Sequence, residues 1–232
     1  CLLPAISPKL HAESGTGQLP CRFLISLKED EMSKYYLLLL LLVSTVMGSP
    51  AGAAVPSDFL YRNTSPDNTG MPYRIFVPAG YNASQSYPLI VFLHGAGEAG
   101  TNNTSQLNNN ANGAMKLVSD ANLAIQPTLM AAPQCPTNSS CWGQATSLSR
   151  LNAMLDQIAE EFSIDADRVH VTGLSMGGHG TWSLVQNRPD RFASAVPMYG
   201  YGGGSASAMS GIPFWYFHAI DDDIVGVARS RN

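Results

Sequence analysis

Charged side chains are scarce in this chain. Thirteen Lys and Arg and 17 Asp and Glu give 13% charged residues among 232, with a formal net charge of −4. The basic residues form no cluster that would neutralise a row of phosphates, so we expect no nucleic-acid partner. Hydrophobic residues make up 45% of the sequence, which excludes a chain that is wholly a disordered charged tail. This length and composition suit one globular domain with a substantial core.

Long hydrophobic runs are also lacking. The apolar stretch 37–47 falls well short of the roughly 20 residues that a membrane-spanning helix needs. It follows the basic Lys34 and precedes small residues at Ala51 and Ala53. A positive segment, an apolar segment and an A-x-A site in this order predict a cleaved signal peptide over 32–53, and hence a secreted or periplasmic protein.

The segment before that signal has no sustained periodicity. Residues 1–31 begin with Cys, and we interpret them as translated upstream DNA, with Met32 as the start. The catalytic domain is then predicted to span 54–232.

Cysteine is rare, with four in the chain. Cys1 and Cys21 belong to the leader, which leaves Cys135 and Cys141 in the exported part. Two cysteines this close in an exported chain most simply form a local disulfide that fixes a surface loop. No further metal ligands cluster beside them, so we expect no metal and no cofactor.

Apolar runs alternate with helical patterns along the domain. Residues 148–162 carry apolar side chains at three- and four-residue spacing, which predicts a helix whose start Thr146 or Ser147 caps. A turn is expected at 165–167, and a second helix follows Ser175 and ends near residue 187. Strands are predicted at 71–78, 88–94, 128–132, 169–171, 193–199 and 214–219. This alternation predicts an α/β fold, a mostly parallel central sheet with helices on both faces.

The most informative motif is Gly173-Leu174-Ser175-Met176-Gly177. In a G-x-S-x-G elbow, a sharp bend between a strand and a helix exposes the serine hydroxyl. An apolar strand precedes this pentapeptide and a helical pattern follows it, so the context fits. The helix directs its N-terminus at Ser175, and the Met176 N–H is predicted to hold a developing oxyanion. The motif therefore indicates a serine hydrolase.

A second oxyanion donor is expected after the strand at 88–94. We assign it to the Ala96 N–H, with Gly97 as the alternative, since glycine lets the backbone approach a substrate. His94 precedes this loop, and a histidine at the end of a buried strand is more often structural than a catalytic base.

The acid of a Ser–acid–His triad should follow the serine in the chain. Asp221, Asp222 and Asp223 end the last predicted strand, and at least one of them belongs to a solvated turn. Of the other histidines, His170 precedes the elbow, His179 lies one helical turn beyond it, and His218 precedes the acid. None of the three fits the position of the base.

The chain resembles secreted α/β-hydrolase esterases of the polyhydroxybutyrate-depolymerase-like and feruloyl-esterase-like kind, whose members are often labelled predicted peptidases. The stretches that carry this resemblance are 87–103, 131–136, 165–182, 187–202 and 217–231. The resemblance covers most of the chain from about residue 71 to its end. It implies an α/β-hydrolase fold without its last strand and helix.

The resemblance implies roles for particular residues. Ser175 is the nucleophile, and Asp222 is the acid because it matches the family's H-G-x-x-D-x-x-V pattern, although Ala219 and Gly226 depart from residues usual in the family. The family's catalytic histidine follows in a G-H motif some tens of residues later, and this chain has none. We therefore expect this 232-residue chain to be nearly inactive by itself, with an unpaired sheet edge.

The activity implied is hydrolysis of an ester substrate, possibly polymeric, through an acyl-enzyme. A serine peptidase of the same fold is an alternative, because amide hydrolysis uses the same triad. A non-catalytic module that binds polymer or carbohydrate is another. Its stacking platform would consist of Trp142 with Tyr199 or Tyr201.

Overall fold

The fold is an eight-stranded, mostly parallel sheet. The computed structural model describes residues 24–27, 54–107, 113–137, 141–203 and 206–231. The strand order is β1-β8-β7-β6-β4-β5-β3-β2. Neighbours from β1 to β5 in this order run parallel, and the β5–β3 and β3–β2 pairs are antiparallel. The strands are β1 Leu24–Leu27, β2 Phe59–Asn63, β3 Pro72–Phe76, β4 Tyr87–Leu93, β5 Leu129–Pro133, β6 Ile164–Leu174, β7 Ser194–Met198 and β8 Tyr216–Ala219.

Four α-helices accompany the sheet within these ranges. They are α1 Asp120–Ile125, α2 Ala145–Glu161, α3 Met176–Asn187 and α4 Ala228–Arg231. Short 3₁₀ helices lie at Pro56–Asp58, Ala96–Glu98, Ser105–Leu107, Ala114–Lys116, Cys141–Gly143, Pro189–Arg191 and Ala206–Met209. No helix in the described part of the chain is long and apolar enough to cross a membrane.

Side chains alternate across the central strands and build a core on each face. Leu89, Val91 and Leu93 of β4 point into the larger core, which includes residues from α2 and α3. Phe92 points into the smaller core, where α1 and two of the 3₁₀ turns pack. Both faces of β4 are therefore buried, as its continuous apolar run predicts, and the predicted α/β fold is confirmed.

Two local predictions are wrong. The expected turn at 165–167 lies inside β6, where the pairing slips from Tyr87↔Ile164 to Leu89↔Val169 and the extra β6 residues bulge. Neither Thr146 nor Ser147 caps α2. The helix begins at Ala145, and the extended Gln144 is its N-cap, without a side-chain hydrogen bond.

The predicted signal peptide lies outside the described residues, as does most of 1–31. Leu24–Leu27 is described, and it pairs in parallel with β8 from Leu24↔Tyr216 to Leu27↔Ala219. The expectation of an unpaired edge at β8 is therefore wrong. The backbone groups on that edge meet an extended segment, which satisfies hydrogen bonds that would otherwise face solvent.

The start of α3 packs directly against the end of β4. A Cβ built on Gly177 would lie 1.9 Å from Leu93 O and 2.7 Å from His94 O. A Cβ on Gly173 would lie 2.6 Å from Leu93 O. No side chain fits in that space, so both glycines are required for the close approach of the two backbones. This contact brings the loop after β4 beside the bend at Ser175.

This packing predicts a large effect for Gly177→Ala. The added methyl group must push α3 away from β4, so we expect a loss of about 3 kcal/mol or more in the free energy of unfolding, or failure to fold. Gly203→Ala is the control, because a Cβ there meets nothing within 4 Å. Thermal melting of the two variants measures the difference. Similar melting temperatures would contradict a tight contact between α3 and β4.

Candidate active site

Ser175 lies at the bend between β6 and α3. Its φ of 55° and ψ of −116° are unusual for a non-glycine residue. Such strain persists only where the surroundings enforce it, and it is typical of a nucleophile elbow. The Ser175 N–H donates to Met198 O at 2.8 Å, which ties the bend to β7.

Backbone N–H groups from two segments lie near this bend. Met176 is the first residue of α3, so its N–H has no carbonyl partner within the helix. Ala96 begins the 3₁₀ turn after β4, and both Ala96 and Gly97 are exposed. A Cβ on Gly95 would contact Leu174 at 3.1 Å, so this turn lies beside the elbow. The assignment of these donors stays a prediction.

His94 has a structural environment. It is 1% exposed, its Nε2 accepts from the Cys135 N–H at 2.9 Å, and its Nδ1 lies 2.6 Å from Gly95 O. Since Nε2 is an acceptor, Nδ1 carries the proton and donates to Gly95 O. Desolvation lowers the pKa of His94 to about 4. Both ring nitrogens are engaged, so His94 helps to position the turn at Ala96–Glu98 and is not free to act as a base.

Trp142 is not a substrate platform, and that prediction is wrong. Its side chain is 0% exposed, and its ring packs edge-on against His94. The indole N–H donates to His94 O at 3.0 Å, and the side chain fills the space above Gly180. Trp142 therefore supports the backbone at His94, just before the turn at Ala96–Glu98. No sequence pattern distinguishes this buried indole from an exposed one.

The predicted disulfide between Cys135 and Cys141 is present. Both cysteines are buried, at 0% and 2% exposure, whereas Pro136 and Thr137 in the loop that the bridge closes are exposed, as expected for a surface loop. The bridge also ties the segment after β5 to the turn that carries Trp142. The disulfide and the His94 hydrogen bonds therefore hold the same region.

Asp222 is the best placed of the three aspartates. Asp221 and Asp223 are exposed, whereas the Asp222 side chain is 11% exposed. Its Oδ1 accepts from the N–H groups of Ile224 (3.0 Å) and Val225 (2.8 Å). These bonds fix the carboxylate at the carboxyl end of β8. Ser175 lies at the carboxyl end of β6, which is on the same side of the parallel sheet. The choice of Asp222 as the acid remains a prediction that this geometry favours.

His218 is the partner of Asp222 in the structure. It is 0% exposed, and its Nε2 lies 3.1 Å from Asp222 Oδ2 and 2.5 Å from Val225 O. Its Nδ1 contacts the hydroxyls of Tyr216 (2.6 Å) and Ser230 (2.7 Å). The sequence pattern does not reveal this hydroxyl pair, which holds His218 from the side opposite Asp222.

The remaining described histidines also have other partners. His170 Nδ1 lies 2.8 Å from Ser194 Oγ, and His179 Nδ1 lies 2.9 Å from Tyr201 O. The Ser175 side chain does not cap its own helix. Within the described residues, therefore, no imidazole is hydrogen-bonded to the serine.

Tyr201 is partly exposed and stacks on His179 with ring centroids 4.5 Å apart. The Arg229 guanidinium lies 5.2 Å from its ring centroid. Tyr201 therefore stays a candidate substrate contact beside the elbow helix. No group of three or more metal-ligating side chains occurs in the part of the chain that is described.

Comparison with known proteins decides the family. The profile of the family described as "Putative esterase" matches residues 65–215. The chain belongs to this esterase family. A bifunctional acetylxylan esterase/xylanase from Neocallimastix patriciarum is 25% identical over 159 residues, which cover 67% of this chain and 22% of the relative. A poly(3-hydroxyalkanoate) depolymerase C from Paucimonas lemoignei is 29% identical over 185 residues, covering 69% and 40%. The chain thus spans less than half the length of these relatives.

Solved structures agree with this esterase fold. A thermostable esterase superposes with a TM-score of 0.69 at 38% identity, over 76% of this chain and 50% of that one. The feruloyl esterase module from Clostridium thermocellum superposes with a TM-score of 0.55 at 16% identity, over 74% of each chain. At that identity the second likeness shows the fold alone.

The burial of His94 predicts a pH-dependent stability. Its folded pKa of about 4 lies below the ordinary value of 6.5, so between these values the unfolded state binds the proton and the folded state does not. Stability should therefore fall as the pH drops from 6.5 to 4, by about 3 kcal/mol in total for this residue. Urea unfolding across this range, compared with His94→Asn, isolates the contribution. Equal pH slopes for the two proteins would contradict it.

Proposed function

We propose that this chain is the catalytic part of an exported serine esterase that acts through an acyl-enzyme on polymer- or carbohydrate-linked esters. One observation carries the proposal. Ser175 has a strained backbone at the head of α3, and the exposed residues Ala96 and Gly97 follow Gly95, which lies beside Leu174. This arrangement suits attack on a carbonyl carbon whose oxygen is held by N–H groups.

The reaction follows from these groups. Ser175 Oγ attacks the ester carbonyl carbon, and its proton passes to a base. The Met176 N–H and the Ala96 N–H, or that of Gly97, donate to the resulting oxyanion. The tetrahedral intermediate collapses and the alcohol leaves with a proton. Water then attacks the acyl-serine and releases the acid.

The residue that accepts the proton of Ser175 is not among the groups described so far. Each of the four described histidines has its hydrogen bonds elsewhere, so we propose that the base is an imidazole from a segment that follows Asn232 in a longer protein. Asp222 would orient it. Each carboxylate oxygen has two lone pairs, and Asp222 Oδ2 therefore has room for a second donor besides His218.

Several observations support the proposed substrates and location. The relatives' names refer to acetylxylan and poly(3-hydroxyalkanoate), and both are polymers. The predicted signal peptide over 32–53 and the Cys135–Cys141 disulfide fit an oxidising compartment outside the cytoplasm.

The base hypothesis predicts a large difference in activity. The 232-residue chain should hydrolyse a short acyl nitrophenyl ester at a rate roughly 10⁶-fold below that of the longer protein containing the following segment, since loss of the histidine from a serine triad costs about that factor in kcat. Ser175→Ala in the longer protein should lose activity to a similar extent. Ser183→Ala, on the same helix, is the matched control and should retain activity.

Two outcomes would overturn parts of the proposal. Comparable ester hydrolysis by the short and long proteins would contradict the assignment of the base. Faster cleavage of a peptide anilide than of an ester with the same acyl group would favour the peptidase alternative.

A further inference from the structure

A groove lies near β2 and β3, at the carboxyl ends of the parallel strands. It has a volume of about 710 Å³ and is formed by the β2–β3 hairpin loop, the segment after β4 and the start of α2. Asn63, Ser65, Asn68, Thr69 and Thr101 line it with amide and hydroxyl groups, together with Tyr61.

The sheet register places this groove beside the active site. Asn63 ends β2 and pairs with Pro72, and Tyr73 pairs with Pro133 at the carboxyl end of β5. Since β5, β4 and β6 run parallel, the groove and Ser175 both lie at the carboxyl ends of these strands. Four strand spacings separate β2 from β6, a distance of about 19 Å, which is several sugar units of an extended polymer.

One wall of the groove is joined through the chain to the turn that begins at Ala96. Thr101, in the groove wall, lies four residues after Gly97, and Pro136, also in the wall, follows Cys135. The Gly100 N–H donates to Cys135 O at 2.8 Å. The groove wall and the turn at Ala96 are therefore held in a fixed relation to each other.

Tyr61 provides a flat surface whose orientation is fixed. Its side chain is exposed, with a residue exposure of 60%, yet one ring face is covered by the Arg74 guanidinium, 3.2 Å from the ring centroid. Arg74 is 4% exposed and donates to Asn103 O (2.6 Å) and Phe59 O (2.7 Å). A cation held in this way keeps the ring in place beneath any ligand.

Hydrogen bonds also fix the β2–β3 loop, which forms one wall of the groove, without any ligand. The Thr64 N–H donates to Met71 O, and the Met71 N–H donates to Thr64 Oγ1 at 2.7 Å. From α2, Arg150 donates to Thr69 O and Gln157 donates to Thr64 O. A preformed wall reduces the ordering that binding would require.

We propose that this groove, the Tyr61 groove, is a glycan-binding subsite that aligns a polysaccharide chain carrying the ester bound at Ser175. The inference rests on the proposed function and names its substrate class. A fixed aromatic face stacks on the apolar face of a sugar ring, and the amide and hydroxyl groups match sugar hydroxyls. A poly(3-hydroxyalkanoate) has no hydroxyl donors within its chain to use these acceptors, so the lining favours the glycan.

Binding is tested without turnover, in the Ser175→Ala form of the longer protein. Isothermal titration with soluble arabinoxylan should give a dissociation constant that rises at least tenfold in Tyr61→Ala and changes less than threefold in Tyr61→Phe, which keeps the ring. Leu60→Ala, at an exposed neighbour on the opposite face of β2, is the control and should bind normally. If Tyr61→Ala does not fold, Tyr61→Leu replaces it, because it still covers Arg74 but lacks the flat face.

Kinetics with Ser175 intact separate this inference from the proposed function. Tyr61→Ala should lower kcat/KM at least tenfold on acetylated or feruloylated arabinoxylan and leave kcat/KM on a nitrophenyl ester unchanged. Loss of activity in Ser175→Ala together with unchanged arabinoxylan binding by folded Tyr61→Ala would overturn the subsite and leave the esterase intact. Binding to poly(3-hydroxybutyrate) granules that depends on Tyr61, without arabinoxylan binding, would also overturn it.

Discussion

The close backbone contact between the head of α3 and the end of β4 is the constraint on which the site depends. Gly177 lies so near Leu93 O that even a methyl group is excluded. Because α3 packs so closely on β4, the strained bend at Ser175 lies beside the turn that begins at Ala96. The geometry of the proposed nucleophile and oxyanion donors thus follows from main-chain packing in the middle of the sheet.

A layer of buried side chains behind the turn at Ala96–Glu98 reinforces this contact. Trp142 donates to His94 O, and the His94 ring joins Gly95 O to the Cys135 N–H. The disulfide joins Cys135 to Cys141, the residue directly before Trp142. All of these residues are buried, so their hydrogen bonds are shielded from water and hold the turn firmly.

The sequence predicts the central elements well because their patterns are local. The continuous apolar run of β4 and the glycine-flanked Ser175 need no knowledge of distant residues. The burial of Trp142 is not a local feature, because it depends on the space left by Gly180 in α3, which is far away in the sequence. The pairing of Leu24–Leu27 with β8 is likewise a contact between segments far apart in sequence.

The same limit applies to Asp222. Its order after Ser175 follows from the sequence, but its partnership with His218 depends on the path of the chain after β8. The Tyr61 groove has no sequence motif, because a hairpin loop, the segment after β4 and the start of α2 build it together.

The central claim is that Ser175 is the single activated nucleophile. The direct measurement is reaction of the longer protein with a fluorophosphonate, followed by mass spectrometry of the intact protein and of its peptides. We predict one adduct per chain, on the peptide that contains Ser175, and none in Ser175→Ala. An adduct on another residue, or no adduct on a folded protein that hydrolyses esters, would contradict it.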